Sequence, residues 1–260
     1  MATAVQMGGR FEIGRAFSNT FSVIGRNIGL WLTLAVIFSA IPGIILQLLI
    51  LAPLTGSALT DPTQAMSDPS AMTTYYIAIF LGVLISLVLS SLLSSSLIRA
   101  TIEDLSGKTP SIGDCIRTAL AVLLPTIGLG LLAGIAIAIG FALLVVPGII
   151  LWLRWSVAVP ALVQERQGVM ASMSRSAALT SGSRWALFGL FLILIIISIV
   201  IQWVIGIAVP ALGTWVGTIV ALLVQSILQM IISTATAVSY VELRQVKEGT
   251  SVSELAEIFA

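Results

Sequence analysis

Trp185-Ala-Leu-Phe-Gly-Leu-Phe-Leu-Ile-Leu-Ile-Ile-Ile-Ser-Ile-Val-Ile-Gln202-Trp-Val-Ile-Gly-Ile207 runs from residue 185 to 207 without a charged side chain. A helix needs about 20 mostly apolar residues to cross a bilayer core. Backbone groups in lipid must be hydrogen-bonded within their own segment. The stretch therefore reads as a membrane-spanning helix, and it sets the class of the whole chain.

Five more runs of this kind flank it, at Ile28–Leu51, Thr73–Leu97, Ala119–Leu144, Pro147–Leu162 and Ala211–Tyr240. The fourth is short for a span and the sixth is long. Of the 260 residues, 58% are hydrophobic and 9% charged, where a soluble domain carries about 25% charged residues. The sequence predicts a single integral membrane domain over residues 1–260, all-α, with six transmembrane helices. Met1 to Arg10 has no apolar core, so no cleavable signal peptide is expected.

Charge sets the threading. Arg10, Arg15 and Arg26 precede span one; Arg99, Lys108 and Arg117 separate spans two and three. Arg166, Arg175 and Arg184 separate spans four and five, and Arg244 and Lys247 follow span six. The alternate connections hold no Lys or Arg, and Ala52 to Met72 carries only Asp61 and Asp68. Eleven of the twelve basic residues thus fall on one side, which the positive-inside rule makes cytoplasmic, with both termini inside. Trp31, Trp185 and Tyr240 on that side, and Tyr75, Tyr76 and Trp215 on the other, fit aromatic belts.

A weak pattern recurs on the cytoplasmic side: Ile13-Gly-Arg-Ala-Phe17, Ile112-Gly-Asp-Cys-Ile116, Val169-Met-Ala-Ser-Met173 and Val252-Ser-Glu-Leu-Ala256. Apolar positions continue at helical spacing through Ile13, Phe17, Phe21 and Ile24, and through Ile112, Ile116 and Leu120. Segments this short and polar are expected to lie in the interface plane. The expected plan is three tandem hairpin units, about 10–108, 109–166 and 167–243, each opened by an amphipathic in-plane helix. A further amphipathic helix, residues 251–259, closes the chain. Pro-Gly-Ile-Ile-Leu occurs at Pro42–Leu46 and Pro147–Leu151, predicting a kink in span one and the outer turn between spans three and four.

Composition removes whole classes of chemistry. Histidine is absent and Cys115 is the single cysteine. Neither a disulfide within the chain nor a His- or Cys-based metal or catalytic site is available. Net charge is +1, which gives no argument for nucleic acid. No enzyme activity and no cofactor are expected.

The twelfth basic residue, Arg154, lies inside span four between Trp152 and Trp155. It stands 11 residues before Glu165, about 16 Å along a helix. An ionisable group at bilayer depth is a functional candidate by default, and guanidinium is suited to bidentate phosphate binding. Arg154, Trp152 and Trp155 are therefore candidates for holding a lipid phosphate. The alternative is that Arg154 bonds carbonyls freed by Pro147 or Pro160, or snorkels.

Gln225, Gln229 and Ser233 share one face of span six, within reach of Gln47 and Gln202. Such polar groups either hold helices together or line a path, and the same holds for the serines of span two. Glu165 is placed to pair with Arg175 at the cytoplasmic interface, with Arg184 nearby.

Pro147-Gly148-Ile-Ile-Leu-Trp-Leu-Arg154-Trp, then Val159-Pro160-Ala-Leu-Val-Gln-Glu165, then Arg175-Ser176-Ala-Ala-Leu-Thr180-Ser-Gly182-Ser-Arg184-Trp185 resembles the core signature of a bacterial six-span family. This is the glycerophosphoryl diester phosphodiesterase membrane-domain family, with the related YciC-like integral membrane proteins. The tail from Glu242-Leu-Arg244 to Leu255-Ala-Glu-Ile-Phe259 is similar to the family's ending. The resemblance implies the membrane fold, the bacterial inner membrane and a link to lipid or envelope biology. It does not carry over the hydrolase activity, which needs histidines that this chain lacks.

Three functions are open at this point. A non-enzymatic protein that binds membrane lipids in envelope maintenance is the leading one. A small-solute transporter or channel is suggested by the Pro-Gly discontinuities, although no acidic residue lies within the spans to couple ions. A scaffold or assembly subunit would present its cytoplasmic helices to a protein partner or a second copy.

Overall fold

The computed structural model describes residues 11–51 and 69–249. Arg10, the loop with Asp61 and Asp68, and the segment Ser251–Phe259 lie outside the described residues. Among the described residues every regular element is helical. Six segments are long and apolar enough to cross a membrane: Ile28–Leu46, Tyr76–Leu105, Leu123–Leu143, Val145–Glu165, Arg184–Ala208 and Val216–Glu248. The expected all-α, six-span class holds.

Helix α1 (Ile13–Arg26) leads into span one, made of α2 (Ile28–Ala35), a π-helical turn (Val36–Ala40) and α3 (Ile41–Leu51). Span two is α4 (Pro69–Leu105). The short α5 (Ile112–Ala121) precedes span three, α6 (Leu123–Leu143). Span four is α7 (Val145–Arg154) plus α8 (Ala158–Glu165). Then come α9 (Val169–Thr180), span five as α10 (Arg184–Ala208), a 3-10 turn (Val209–Leu212) and span six as α11 (Thr214–Glu248).

Proline sets most of these boundaries. Pro125, Pro147 and Pro160 each take the third position of their helix. The first four N–H groups of a helix have no intrahelical acceptor, so proline loses nothing there. Its ring excludes the carbonyl four residues back, so the preceding turn breaks. Pro42 acts differently. The turn before it widens, and the Ile41 N–H bonds the Val36 carbonyl five residues back. The kink expected in span one is thus a π-type turn.

Span four departs from the short helix expected at Pro147–Leu162. It extends over Val145–Glu165 and is broken at Trp155–Val157. The turn before it is a single extended residue, Leu144, at φ −160° and ψ 149°. Glycine makes this turn feasible: a Cβ on Gly140 would sit 3.0 Å from the Gly148 Cα. The hairpin closes backbone to backbone.

Spans two and six are longer than their hydropathy suggested. α4 has 37 residues and α11 has 35, about 50–55 Å each against a core of about 30 Å. Their charged ends, which stop an apolar run, continue as helix because the charges are paired. Arg26 and Asn27 both bond Asp104 at the end of α4, at 3.1 and 3.0 Å. Arg99 pairs with Glu103 and Asp114, and Arg15 and Asn19 hold Glu242 on α11. The described inter-element ion pairs all gather at this one end of the bundle.

The core sits around α8, where Ala158, Pro160, Ala161, Leu162, Val163 and Gln164 are buried. Two belt expectations change. Trp31 and Tyr240 are 0% and 1% exposed, and the Trp31 indole donates to the Val23 carbonyl at 3.1 Å. They are core side chains, while Trp185 is 86% exposed. The short helices also differ from a simple apolar-inward stripe. α1 buries Ala16, Thr20, Val23 and Ile24, and α5 buries Cys115, Thr118 and Ala119. Phe21, Leu120 and, on α9, Met170 point outward. Mostly small residues face the bundle because they allow close helix approach.

Candidate functional site

The break in span four is built from its own sequence. Pro160 has no N–H to give Ser156, so α7 ends at Arg154 and α8 restarts at Ala158. Most freed backbone groups are taken locally: the Trp155 N–H bonds the Leu151 carbonyl at 3.1 Å, and the Ala158 N–H bonds the Trp155 carbonyl at 3.1 Å. The Arg154 carbonyl is taken by α9. Ser176 Oγ donates to it at 2.9 Å, and Thr180 Oγ1 lies at 3.5 Å.

The Arg154 side chain therefore has no capping task. It is exposed on the outside of the bundle, with no hydrogen bond or ion pair to any described residue. The reading in which it bonds carbonyls freed by Pro147 or Pro160 is not what the geometry has. Its charge lies at the C-terminus of α7, where the helix dipole favours a cation. Trp152 and Trp155 are half-buried on either side, both packed against the core. The Trp152 ring lies 5.5 Å from that of Phe191, tilted by 57°.

That contact sets the break against span five: Phe191 lies seven residues beyond Arg184 (184 to 191), about 10 Å along α10. The chain turns at Arg166 and Gly168, both at positive φ, and the bonds of Ser176 and Thr180 to the Arg154 carbonyl hold the end of α9, and with it the start of α10, beside the break.

At the charged end, Arg175 reaches Glu165 at 2.9 and 3.1 Å and also bonds Glu248. Burial opposes the Arg175 charge, but its hydrogen bonds to Glu165 and Glu248 prevail and hold its guanidinium above the ordinary range. The Tyr240 hydroxyl donates to Glu165 Oε1 at 2.7 Å. Arg244 bonds Glu248 at 3.1 Å and stands 5.9 Å over the Tyr240 ring. Arg184 does not join this network: its Nε is buried with no partner among the described residues. Both amide atoms of Gln164 are likewise buried without one.

The polar face of span six splits in two. Ser233 is buried and donates to Ser94 at 3.4 Å, a helix-to-helix contact. Gln225 and Gln229 instead line a cavity of about 270 Å³ between spans one, two and six. Gln202 is exposed on α10 and does not line it. The side chain of Gln47 lies outside the described residues.

Some of this was readable and missed: Ser176 and Thr180 are spaced four apart and so share a helix face. Nothing in the sequence places Tyr240 against Glu165. No family model matches the chain, and neither the search of curated proteins nor that of solved structures gives a match. Fold and site together define a multi-pass, all-helical membrane protein.

Proposed function

We propose that this protein is a non-enzymatic, lipid-binding membrane protein that holds a phospholipid headgroup at the break in span four. The observation that supports this reading most is the exposed Arg154 on the apolar perimeter of the bundle, without a partner among the described residues. An unpaired cation in hydrocarbon costs at least about 2.5 kcal/mol, and a phosphate oxygen pair removes that cost through a bidentate contact. Trp152 and Trp155 supply amphipathic rings of the kind that settle at headgroup level.

The surrounding assignments follow from the same reading. The charged end is cytoplasmic by the positive-inside rule, with both termini inside. Helices α1, α5 and α9 precede spans one, three and five, which supports three tandem hairpin units. Their outward Phe21, Leu120 and Met170 suit helices resting in the interface. The family resemblance supports a bacterial inner-membrane location and a part in envelope maintenance.

The test is phospholipid content after extraction into nanodiscs. Wild type retains phospholipid and Arg154→Ala loses it; a folded wild type free of phospholipid would overturn the proposal. A small-solute carrier is the second reading, favoured by the cavity between spans one, two and six, which Gln225 and Gln229 line. Flux of small solutes into proteoliposomes tests it.

A further inference from the structure

The cavity between spans one, two and six has a chemistry of its own. Its polar lining is Ser39 from the π-type turn, Ser86 and Ser90 from α4, and Gln225 and Gln229 from α11. Its apolar lining is Phe38, Leu46, Leu89, Leu93 and Leu222. Among the described residues no charged side chain lines it. None of α7 or α8 contributes, so it is separate from the Arg154 break.

Three features bear on what enters it. The amides of Gln225 and Gln229 have no hydrogen-bond partner among the described residues, and an amide left unmet in an apolar medium costs about 1–3 kcal/mol. Ser39 and Ser226 satisfy each other at 2.8 Å, with Ser226 also 2.7 Å from the Leu222 carbonyl; the amides therefore carry the spare donors and acceptors. The opening lies on the bundle perimeter, where Ser86, Ser90 and Gln225 are exposed.

We propose that this cavity binds an uncharged amphiphile: a molecule with hydroxyl or ester groups for the two glutamines and an alkyl chain for the leucines and Phe38. A phosphate or carboxylate would enter without a counter-charge, which a low-dielectric site disfavours. Amides offer both donor and acceptor, matching a hydroxyl or glycerol ester. The π-type turn upstream of Pro42 shapes the wall, and Gly43 admits Leu222, whose Cδ2 would lie 3.1 Å from an added Cβ.

The experiment uses the full chain in nanodiscs with two diazirine-bearing probes, a diacylglycerol and a phosphatidylglycerol of the same chain length. Cross-linked peptides are mapped by mass spectrometry. The diacylglycerol probe should label the 38–46 and 222–229 regions, with the phosphatidylglycerol probe labelling them far less. Gln225→Leu and Gln229→Leu should each lower the labelling about fivefold, the weight of one hydrogen bond. Ser86→Phe fills the cavity while leaving both amides, and should abolish labelling, which covers the case of a glutamine variant that does not fold. Equal labelling by both probes, labelling unchanged in the folded variants, or no labelling of these regions would overturn the proposal.

Discussion

Ser176 Oγ donates to the backbone carbonyl of Arg154 at 2.9 Å, tying α9 to the broken middle of span four. The bond separates two roles that one arginine might have combined. The Arg154 backbone is structural, because it anchors α9. The Arg154 side chain is left facing outward without a partner among the described residues.

Stability should follow this division. Ser176 is fully buried, so Ser176→Ala leaves a carbonyl short of its donor and should destabilise the fold by about 1–2 kcal/mol. Arg154→Ala removes an exposed side chain and should change stability by no more than about 0.5 kcal/mol. Thermal unfolding of both variants in nanodiscs checks the contrast. An arginine variant less stable than the serine variant would contradict it.

Glu165 accepts from both Arg175 and Tyr240. Tyr240→Phe removes a hydrogen bond to a charged group and should lower stability by about 1.5–3 kcal/mol. Combining it with Glu165→Gln should lower stability by less than the sum of the two single effects, since both report one network. A double-mutant cycle measures this, and strict additivity would show that the contact is energetically idle.

The hairpin of spans three and four depends on backbone contact at Gly140 and Gly148. Gly140→Val should push the two helices apart at about 1–3 kcal/mol. Gly134 lies on the same helix with nothing near its Cβ position, and Gly134→Val should be tolerated to within about 0.5 kcal/mol. Melting temperatures of the pair distinguish a packing contact from a general aversion of α6 to valine.

Cys115 is fully buried, and burial pushes its thiol up to about 12. The thiol stays protonated at neutral pH and should not react, because the thiolate is the nucleophile. Maleimide at pH 8 should label only SDS-denatured protein. Fast labelling of the folded protein at pH 8 would contradict the burial of α5 against α4.

The fold was legible where a long-range property writes itself locally. Each apolar run must be a helix in lipid, so six spans could be read from Ile28 onward without knowing any contact. Helix ends were less legible. Arg99 and Glu103 end the apolar run of span two, yet they pair and the helix continues to Leu105. The site was legible in composition but not in geometry. Arg154 stands out in any reading of the chain. Ser176 and Thr180 at its carbonyl, and Phe191 at Trp152, come from later elements that fold back on the break. Gln225 and Gln229 look like the packing residue Ser233 in sequence, and only the placement of span one's widened turn separates cavity wall from helix contact.

The most direct measurement is native mass spectrometry with lipidomics on nanodisc-extracted protein, comparing wild type with Arg154→Ala and Arg154→Lys. The expected result is a phospholipid retained by wild type, held more weakly by the lysine variant because the bidentate fork is lost, and absent from the alanine variant. Identical lipid profiles in three equally stable proteins would contradict a phosphate site at Arg154.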